Sequence, residues 1–288
     1  MFIRGKPIRF GYKLVLVPYF GRHSAKMFIR GKPIRFGYKL GALCSSNGYM
    51  FQFIPYSGAS GIYNKSLGLG ASVIMELSHR EHPMQHTVHF DTFFTSHYLL
   101  CLLKERGFCA TGTVRPNWVA GAPLQTGKKA LKKHVPTMYV YDTKNDDMVI
   151  RWMDNSEVTI ATYYDTIKPM VTVQRFSKEK KKKVGVPQPL AFNNYNRYMG
   201  GVDLHDNGVA NYRIGIRGKK FGKKWWWPLW VQCLDSAVVN AWKLHCIVAA
   251  SKKTKPMSQL DFKNSIHQSD RNILLGLDYR FGKQNPLR

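Results

Sequence analysis

A strand-like alternation of apolar and polar residues marks the start of the chain, and it is written twice. Residues 1–14, Met-Phe-Ile-Arg-Gly-Lys-Pro-Ile-Arg-Phe-Gly-Tyr-Lys-Leu, recur letter for letter at 27–40. The second copy runs on into Leu-Cys-Ser-Ser-Asn-Gly-Tyr-Met-Phe-Gln-Phe-Ile-Pro-Tyr at 43–56, which predicts a strand pair folded about Ser-Ser-Asn-Gly. Solenoid repeats diverge and need three units to stack, so two perfect copies read as a tandem duplication or a misjoined gene model. On that reading the fold starts at 27. Residues 1–26 are expected to pack poorly, because the sheet position that suits this segment can be filled only once.

Helical spacing follows at Leu67–Leu77, then a strand-like run from His86 to Phe90 that ends at Asp91. Ser96 is placed to cap a helix carrying Leu99, Leu100, Leu102 and Leu103, which Gly107 closes. Thr137–Tyr141, Met148–Met153 and Val158–Tyr164 predict three short strands, with polar Asn, Asp and Ser turns between them. The Lys-rich run from Ser177 to Val184 reads as a solvated linker, and Gly200-Gly201 as a break. Residues 228–250 form the longest apolar tract, but Gln232, Asp235, Asn240, Lys243 and His245 interrupt it, which suits a buried helix better than a membrane span. Trp225, Trp226 and Trp227 can stack on bases, although their place before that helix favours the core. Strand, helix, strands and helix in this order make a mixed α/β chain.

Composition narrows the ligand. With 44 Lys and Arg against 17 Asp and Glu, the 288 residues carry a formal charge of +27 and a pI near 10.0. A polyanion is the expected partner, and nucleic acid is the usual one. An apolar content of 44% is enough for a core. The first residues lack the uninterrupted apolar stretch of a secretion signal. Cys44, Cys101, Cys109, Cys233 and Cys246 show no Cys-x-x-Cys spacing, as in a reduced nuclear or cytosolic protein.

Against so basic a background, the acids stand out. Asp203 and Asp206 sit close together in Gly-Gly-Val-Asp-Leu-His-Asp, and carboxylates crowded in space need a cation or an Arg beside them. Asp91 and Asp154 each end a strand-like run. Aspartates at strand ends plus one at a helix start are how an RNase H-like nuclease builds a two-metal centre. Each also has a plainer reading: Asp154 as a hairpin-turn residue, Asp203 and Asp206 as first-turn acids favoured by the helix dipole, Asp91 as a loop aspartate. His79, His82, His86 and His89 read as surface and strand histidines ahead of a zinc site, because a Pro intervenes and no thiolate is near.

Several motifs together resemble the piggyBac transposases and the proteins domesticated from them. They are Phe-Asp-Thr-Phe-Phe-Thr-Ser (90–96), Ala-Thr-Gly-Thr-Val-Arg-Pro-Asn (110–117), Arg-Trp-Met-Asp-Asn (151–155), Tyr-Asn-Arg-Tyr-Met-Gly-Gly-Val-Asp-Leu-His-Asp (195–206), and Lys-Lys-Trp-Trp-Trp-Pro with Val-Val-Asn-Ala-Trp (223–242). The resemblance implies an α/β fold with an RNase H-like catalytic core, flanked by helical and strand segments of a DNA-binding and dimerisation domain. It places Asp91, Asp154 and Asp203 at the three catalytic and metal-binding aspartates, and Asp206 at a fourth acidic position. Two Mg²⁺ ions, with Mn²⁺ able to substitute, cut-and-paste chemistry at TTAA targets and a nuclear site of action come with it. Double-stranded DNA is the implied partner, full-length relatives are expected to be homodimers, and no membrane is involved.

On the same resemblance, residues 27–85 flank the core, 86–165 form its first part, 166–192 a short basic insertion, 193–212 the helix with the third Asp, and 213–288 a C-terminal helical part. Arg115, Lys180, Lys181, Lys182, Lys183, Arg217, Lys219, Lys220, Lys223 and Lys224 are the candidate contacts to nucleic acid; the Lys180–Lys183 run reads equally as a localisation patch or a solvated linker. The pattern departs from the family at Thr92, where Asn is usual, and at Trp118, where Arg is common. A long N-terminal segment and a Cys-rich zinc domain are expected to lie outside this chain. Two readings of function stay open: a truncated or degraded transposase, and a domesticated protein that binds DNA or chromatin without catalysis.

Overall fold

Both copies of the repeat enter one sheet, side by side. In the computed structural model, which describes residues 8–29, 35–56, 64, 67–78, 86–115, 137–142, 146–153, 157–177, 181–213, 224–266 and 268, the first copy supplies strand β1 (Ile8–Pro18) and the second supplies β3 (Phe36–Ser45). They pair antiparallel from Phe10 opposite Ser45 to Pro18 opposite Gly37. The other edge of β1 pairs in parallel with β5 (His86–Phe90), ending at Tyr12 opposite Phe90. The first copy therefore occupies the interior of the sheet, contrary to the expectation that residues 1–26 pack poorly. Phe10 and Tyr12 are fully buried, and Val15 and Val17 nearly so. The expectation failed in its premise: an antiparallel pair offers one sequence two adjacent places.

The chain divides into two compact units, Met1–Leu204 and His205–Arg288. In the first, β5 pairs in parallel with β6 (Cys109–Thr113), and β9 (Glu157–Thr162), β8 (Asp147–Met153) and β7 (Thr137–Asp142) follow in antiparallel order. On the far edge, β3 pairs with β2 (Met27–Phe28) and with β4 (Met50–Pro55). The predicted Ser-Ser-Asn-Gly turn joins β3 to β4, with Gly48 at φ 87°, a backbone angle that glycine adopts without strain.

One face of the sheet carries helices α1 (Gly68–Leu77) and α2 (His97–Glu105). Ile74, Leu77, Leu99, Leu100 and Leu103 close there over Phe10, Tyr12, Val88 and Phe90. Helix α2 begins as its sequence predicts: Ser96 Oγ accepts the Leu99 amide at 3.1 Å, and Gly107 ends the turn at φ 78°. On the opposite face lies α3 (Leu190–Met199), whose Tyr195 and Tyr198 rings meet the fully buried His89 of β5. A side chain on Gly11 would press on the Tyr198 and Met199 carbonyls at 3.1 and 3.0 Å, so glycine lets α3 lie close on β1 without displacing either carbonyl. Helix α4 (Gly201–Asn211) starts after Gly200.

Within the expected basic insertion, the structure has a hairpin, β10 (Val171–Ser177) and β11 (Lys182–Gln188). Val171, Val173, Val184 and Val186 give it one apolar row. It is tied to the sheet by the Trp152 indole N–H, which donates to the Pro187 carbonyl at 3.2 Å.

In the second unit, α5 (Trp227–Ser251) buries only a narrow face that includes Asp235, Ser236 and Val239. Trp230, Leu244, Ile247 and Val248 stay nearly half exposed, which corrects the expectation of a buried helix. Trp225 and Trp226 are also exposed, and Trp227 stacks on Trp230 with ring centroids 5.3 Å apart, so the tryptophans form a ladder along the helix start. Among the described residues, no helix is long and apolar enough to cross a membrane.

Candidate functional site

The parallel pairing of β1, β5 and β6 ends in a row, β5 and β6 stopping there while β1 runs on along β3. Tyr12 on β1 pairs with Phe90 on β5, and Phe90 pairs with Gly112 on β6. The next residues along the three strands are Lys13, Asp91 and Thr113. Side chains alternate along a strand, so these three share the face that carries Gly11 and His89, the face covered by α3. Strand ends beneath a helix start form a cleft of the kind in which α/β proteins place ligands.

Each member of the row is held. The Asp91 backbone carbonyl accepts the Thr95 hydroxyl at 2.9 Å and the Phe94 amide at 3.1 Å, while one carboxylate oxygen accepts the Phe93 amide at 2.8 Å. This turn fixes the carboxylate just beyond the strand. Tyr195 of α3 reaches the Thr113 hydroxyl at 3.3 Å. Asp203 stands in the first turn of α4, where the dipole favours a negative charge. Lys13 Nζ donates to both of its carboxylate oxygens at 2.7 Å.

The electrostatics tie the group together. Burial pushes the Asp91 carboxyl above the usual carboxylate range and the Asp203 charge adds to the rise; the Phe93 amide and the cations Lys13 and Arg115 oppose it. Burial raises the Tyr195 hydroxyl strongly, with Asp91 and Asp203 contributing, so it stays neutral. Lys13, Asp91, Arg115, Tyr195 and Asp203 thus form one interacting cluster within the first unit. A cavity of about 300 Å³ adjoins it, lined by Thr92, Phe93, Arg115 and the start of α1.

As they stand, these residues do not fit a pair of divalent ions. Magnesium requires near-octahedral oxygen coordination, and a two-metal centre needs carboxylates that both ions share. Here one ammonium occupies both oxygens of Asp203, and among the described residues no third Asp, Glu, His or Cys joins Asp91 and Asp203 in a three-ligand group.

Asp154, expected as the third acid, lies outside the described residues. Met153, which precedes it, ends β8 three strands from β5. By the pairing of Thr113 with Ile160 and of Ile160 with Ile150, Met153 sits about 14 Å across the sheet and about 10 Å further along it than the Asp91 row. Asp206 is exposed on α4 within the second unit.

Of the basic candidates, Arg115, Lys181, Lys182, Lys183 and Lys224 are exposed, the middle three on the β10–β11 hairpin. Lys180, Arg217, Lys219, Lys220 and Lys223 fall outside the described residues, as do His79 and His82 of the histidine series. His86 and His89 are buried strand residues.

Sequence reasoning missed Lys13, whose segment it set aside, and the buried acids Asp147 and Asp165. Asp165 accepts the Thr111 hydroxyl at 2.7 Å and the Asn194 amide at 2.8 Å, a structural tie between sheet and α3. Asp147 pairs with His97 Nε2 at 2.9 Å. With Cys101, one helical turn beyond His97, they bring one nitrogen, one sulfur and one oxygen within 4.8 Å of one another, a set able to hold a borderline-soft cation. No spacing in the sequence links position 147 to α2.

Comparison with known proteins agrees with this architecture. A family model described as Transposase IS4 matches residues 2–242. The chain is 40% identical over 262 residues to human (Homo sapiens) PiggyBac transposable element-derived protein 3, covering 89% of this chain and 43% of that protein. It is 35% identical over 252 residues to human PiggyBac transposable element-derived protein 2, covering 85% and 37%. It thus spans less than half the length of these curated relatives. A piggyBac transposase solved by cryo-EM in a synaptic complex with hairpin DNA matches at a TM-score of 0.73 and 22% identity, over 98% of this chain and 55% of that one. That likeness shows the RNase H-like core. From the matched family model and these relatives together, the chain belongs to the piggyBac transposase family.

Proposed function

We propose that this chain is a transposase-derived domain that binds duplex DNA through the phosphate backbone and holds it along the Asp91–Asp203 edge. The observation that carries the reading is Arg115: exposed, and close enough to act on the Asp91 carboxyl, it offers a phosphate-binding fork beside the two acids. The net charge of +27 supplies the sequence-independent part of the affinity, and the exposed Lys181, Lys182 and Lys183 extend it along the hairpin. A nuclear site of action goes with a DNA ligand. The Lys180–Lys183 run serves it either as an import signal or as a phosphate contact.

Fluorescence anisotropy of the purified chain with an end-labelled duplex tests this. The expected result is binding whose log affinity falls linearly with log salt, with a slope of about −0.9 for each phosphate contact, and similar affinities for unrelated sequences. Arg115→Ala is expected to weaken binding to all duplexes alike. No binding at low salt, or affinity indifferent to salt, contradicts the proposal.

Metal-dependent cut-and-paste cleavage, with two Mg²⁺ ions as the family suggests, is the second reading. The charge of Asp203 felt at the Asp91 carboxyl favours it; the Lys13 contact with Asp203 opposes it. Incubating a supercoiled plasmid with the chain and Mg²⁺ or Mn²⁺ separates the two, since binding without nicking supports the first.

A further inference from the structure

The acidic edge already holds a cation. We propose that Lys13 is the resident counter-ion of this site: its ammonium stands on Asp203 where a divalent ion would otherwise coordinate, so that the chain binds DNA without loading metal between Asp91 and Asp203. The inference rests on the reading above, that this edge faces DNA.

Geometry carries it. Lys13 projects from β1 where its pairing with β5 ends: Ala42 of β3 lies opposite it, and the residue before it is paired on both edges, to Leu43 and to Phe90, which anchors its backbone. It lies on the strand next to Asp91, about 4.8 Å away in the ladder direction, and on the same face. A third metal ligand beside Asp91 and facing Asp203 has its nearest backbone position at residue 13, whereas β8 approaches its end three strands away.

Residue 13 brings a cation to that position. Both contacts to Asp203 are 2.7 Å, the length of charge-assisted hydrogen bonds, and they occupy both carboxylate oxygens. The Lys13 side chain is 30% exposed, so part of its stem is covered. A dication entering here displaces two short hydrogen bonds and then sits beside the displaced ammonium, with two carboxylates to meet it among the described residues. Both changes act against binding. Phosphate oxygens, by contrast, gain from the ammonium: Lys13 and Arg115 offset the repulsion that Asp91 and Asp203 exert on a DNA strand.

The identical copy makes a control within the same molecule. Lys39 has the same immediate neighbours in sequence as Lys13, yet its ammonium lies over the Phe93 ring, 5.7 Å from the centroid, and among the described residues it makes no ion pair with a carboxylate. Pairing with Asp203 therefore follows from the place of β1 in the sheet and not from the local sequence.

The test is Mn²⁺ binding by the full chain, followed by electron paramagnetic resonance of the free ion. For the wild type, no saturable site involving Asp203 is expected, so that Asp203→Asn leaves the titration unchanged. Lys13→Asp places a third carboxylate beside Asp91, and the affinity is expected to tighten on the order of tenfold or more; Asp203→Asn in that background is expected to abolish the gain. Lys39→Asp is expected to change nothing at the site. A wild-type site that Asp203→Asn removes, or a Lys13→Asp protein that gains no affinity while its circular dichroism is native, overturns the proposal. If Lys13→Asp does not fold, Fe²⁺-directed hydroxyl-radical cleavage of the wild-type chain decides the matter: no cuts near residues 91 and 203 are expected, and cuts there overturn it. Duplex binding measured on the same samples keeps the two claims apart, because loss of DNA affinity counts against the DNA reading and metal loading counts against the Lys13 assignment.

Discussion

The two copies of the repeat have one sequence and opposite environments. Because β1 and β3 run antiparallel with Tyr12 opposite Leu43 and Tyr38 opposite Val17, equivalent residues of the two copies point to opposite faces of the sheet. Tyr12 faces α1, where its hydroxyl meets Ser78 Oγ at 3.0 Å, while Tyr38 faces the other layer and stacks on Tyr19. Phe10 is sealed in the core, yet Phe36 is 41% exposed near the sheet edge. Lys13 grips Asp203; Lys39 lies over an aromatic ring. An alternating sequence has no intrinsic inside when helices cover both faces of its sheet. Position in the ladder assigns each side chain its task.

That contrast can be broken by paired substitutions. The largest difference is expected between Phe10→Ala and Phe36→Ala: the first leaves a cavity under α1 and α2 and costs about 3–5 kcal/mol, the second about 1 kcal/mol or less, read from urea unfolding. Equal losses would mean that β1 is not a core strand. Next come the glycines. A methyl group at residue 37 runs into the Val17 carbonyl, and one at residue 11 reaches the α3 carbonyls at 3.0 Å, so Gly37→Ala is expected to cost roughly 1–3 kcal/mol of overpacking and Gly11→Ala less, with the larger drop in melting temperature at residue 37.

The tyrosines separate at alkaline pH. Burial, with Tyr19 beside it, pushes the Tyr38 hydroxyl up to about 12. An acid whose folded value is raised supports the fold fully below its unfolded value, near 10, and that support is lost as pH rises through about 12. Tyr38→Phe is expected to flatten the decline in stability between those values by on the order of 1–2 kcal/mol. An unchanged slope would show that the hydroxyl ionises freely. The smallest stability effects belong to the lysines. Lys13→Met and Lys39→Met are each expected to cost about 1 kcal/mol or less, because the Lys13–Asp203 pair is partly solvated and a cation over a ring at the surface is weak. A much larger loss at Lys13 would make the pair structural.

Local chemistry was readable in the chain wherever one segment determines its own form. Ser96 and Gly107 bracket α2, the Ser-Ser-Asn-Gly turn closes β3 on β4, and the strand ending at Asp91 stands where its apolar run places it. What escaped was pairing between distant segments. Nothing local to residues 8–18 says that they lie between β3 and β5, and so Lys13 could not be seen beside Asp91. Alternation in Val171–Ser177 and Lys182–Gln188 was hidden by the lysines between them, whose charge suggested solvent rather than a hairpin turn. The apolar tract at 228–250 gave its helix correctly, but hydropathy alone does not show how much of a helix a neighbour covers.

The most direct test is a crystal structure of the full chain grown with a short duplex and soaked in Mn²⁺, with anomalous scattering used to locate the ion. Lys13 Nζ is expected on both oxygens of Asp203, with no anomalous peak within coordinating distance of Asp91 or Asp203 and the phosphate backbone lying beside Arg115. A manganese ion bridging Asp91 and Asp203, with the Lys13 side chain swung into solvent, would contradict the account.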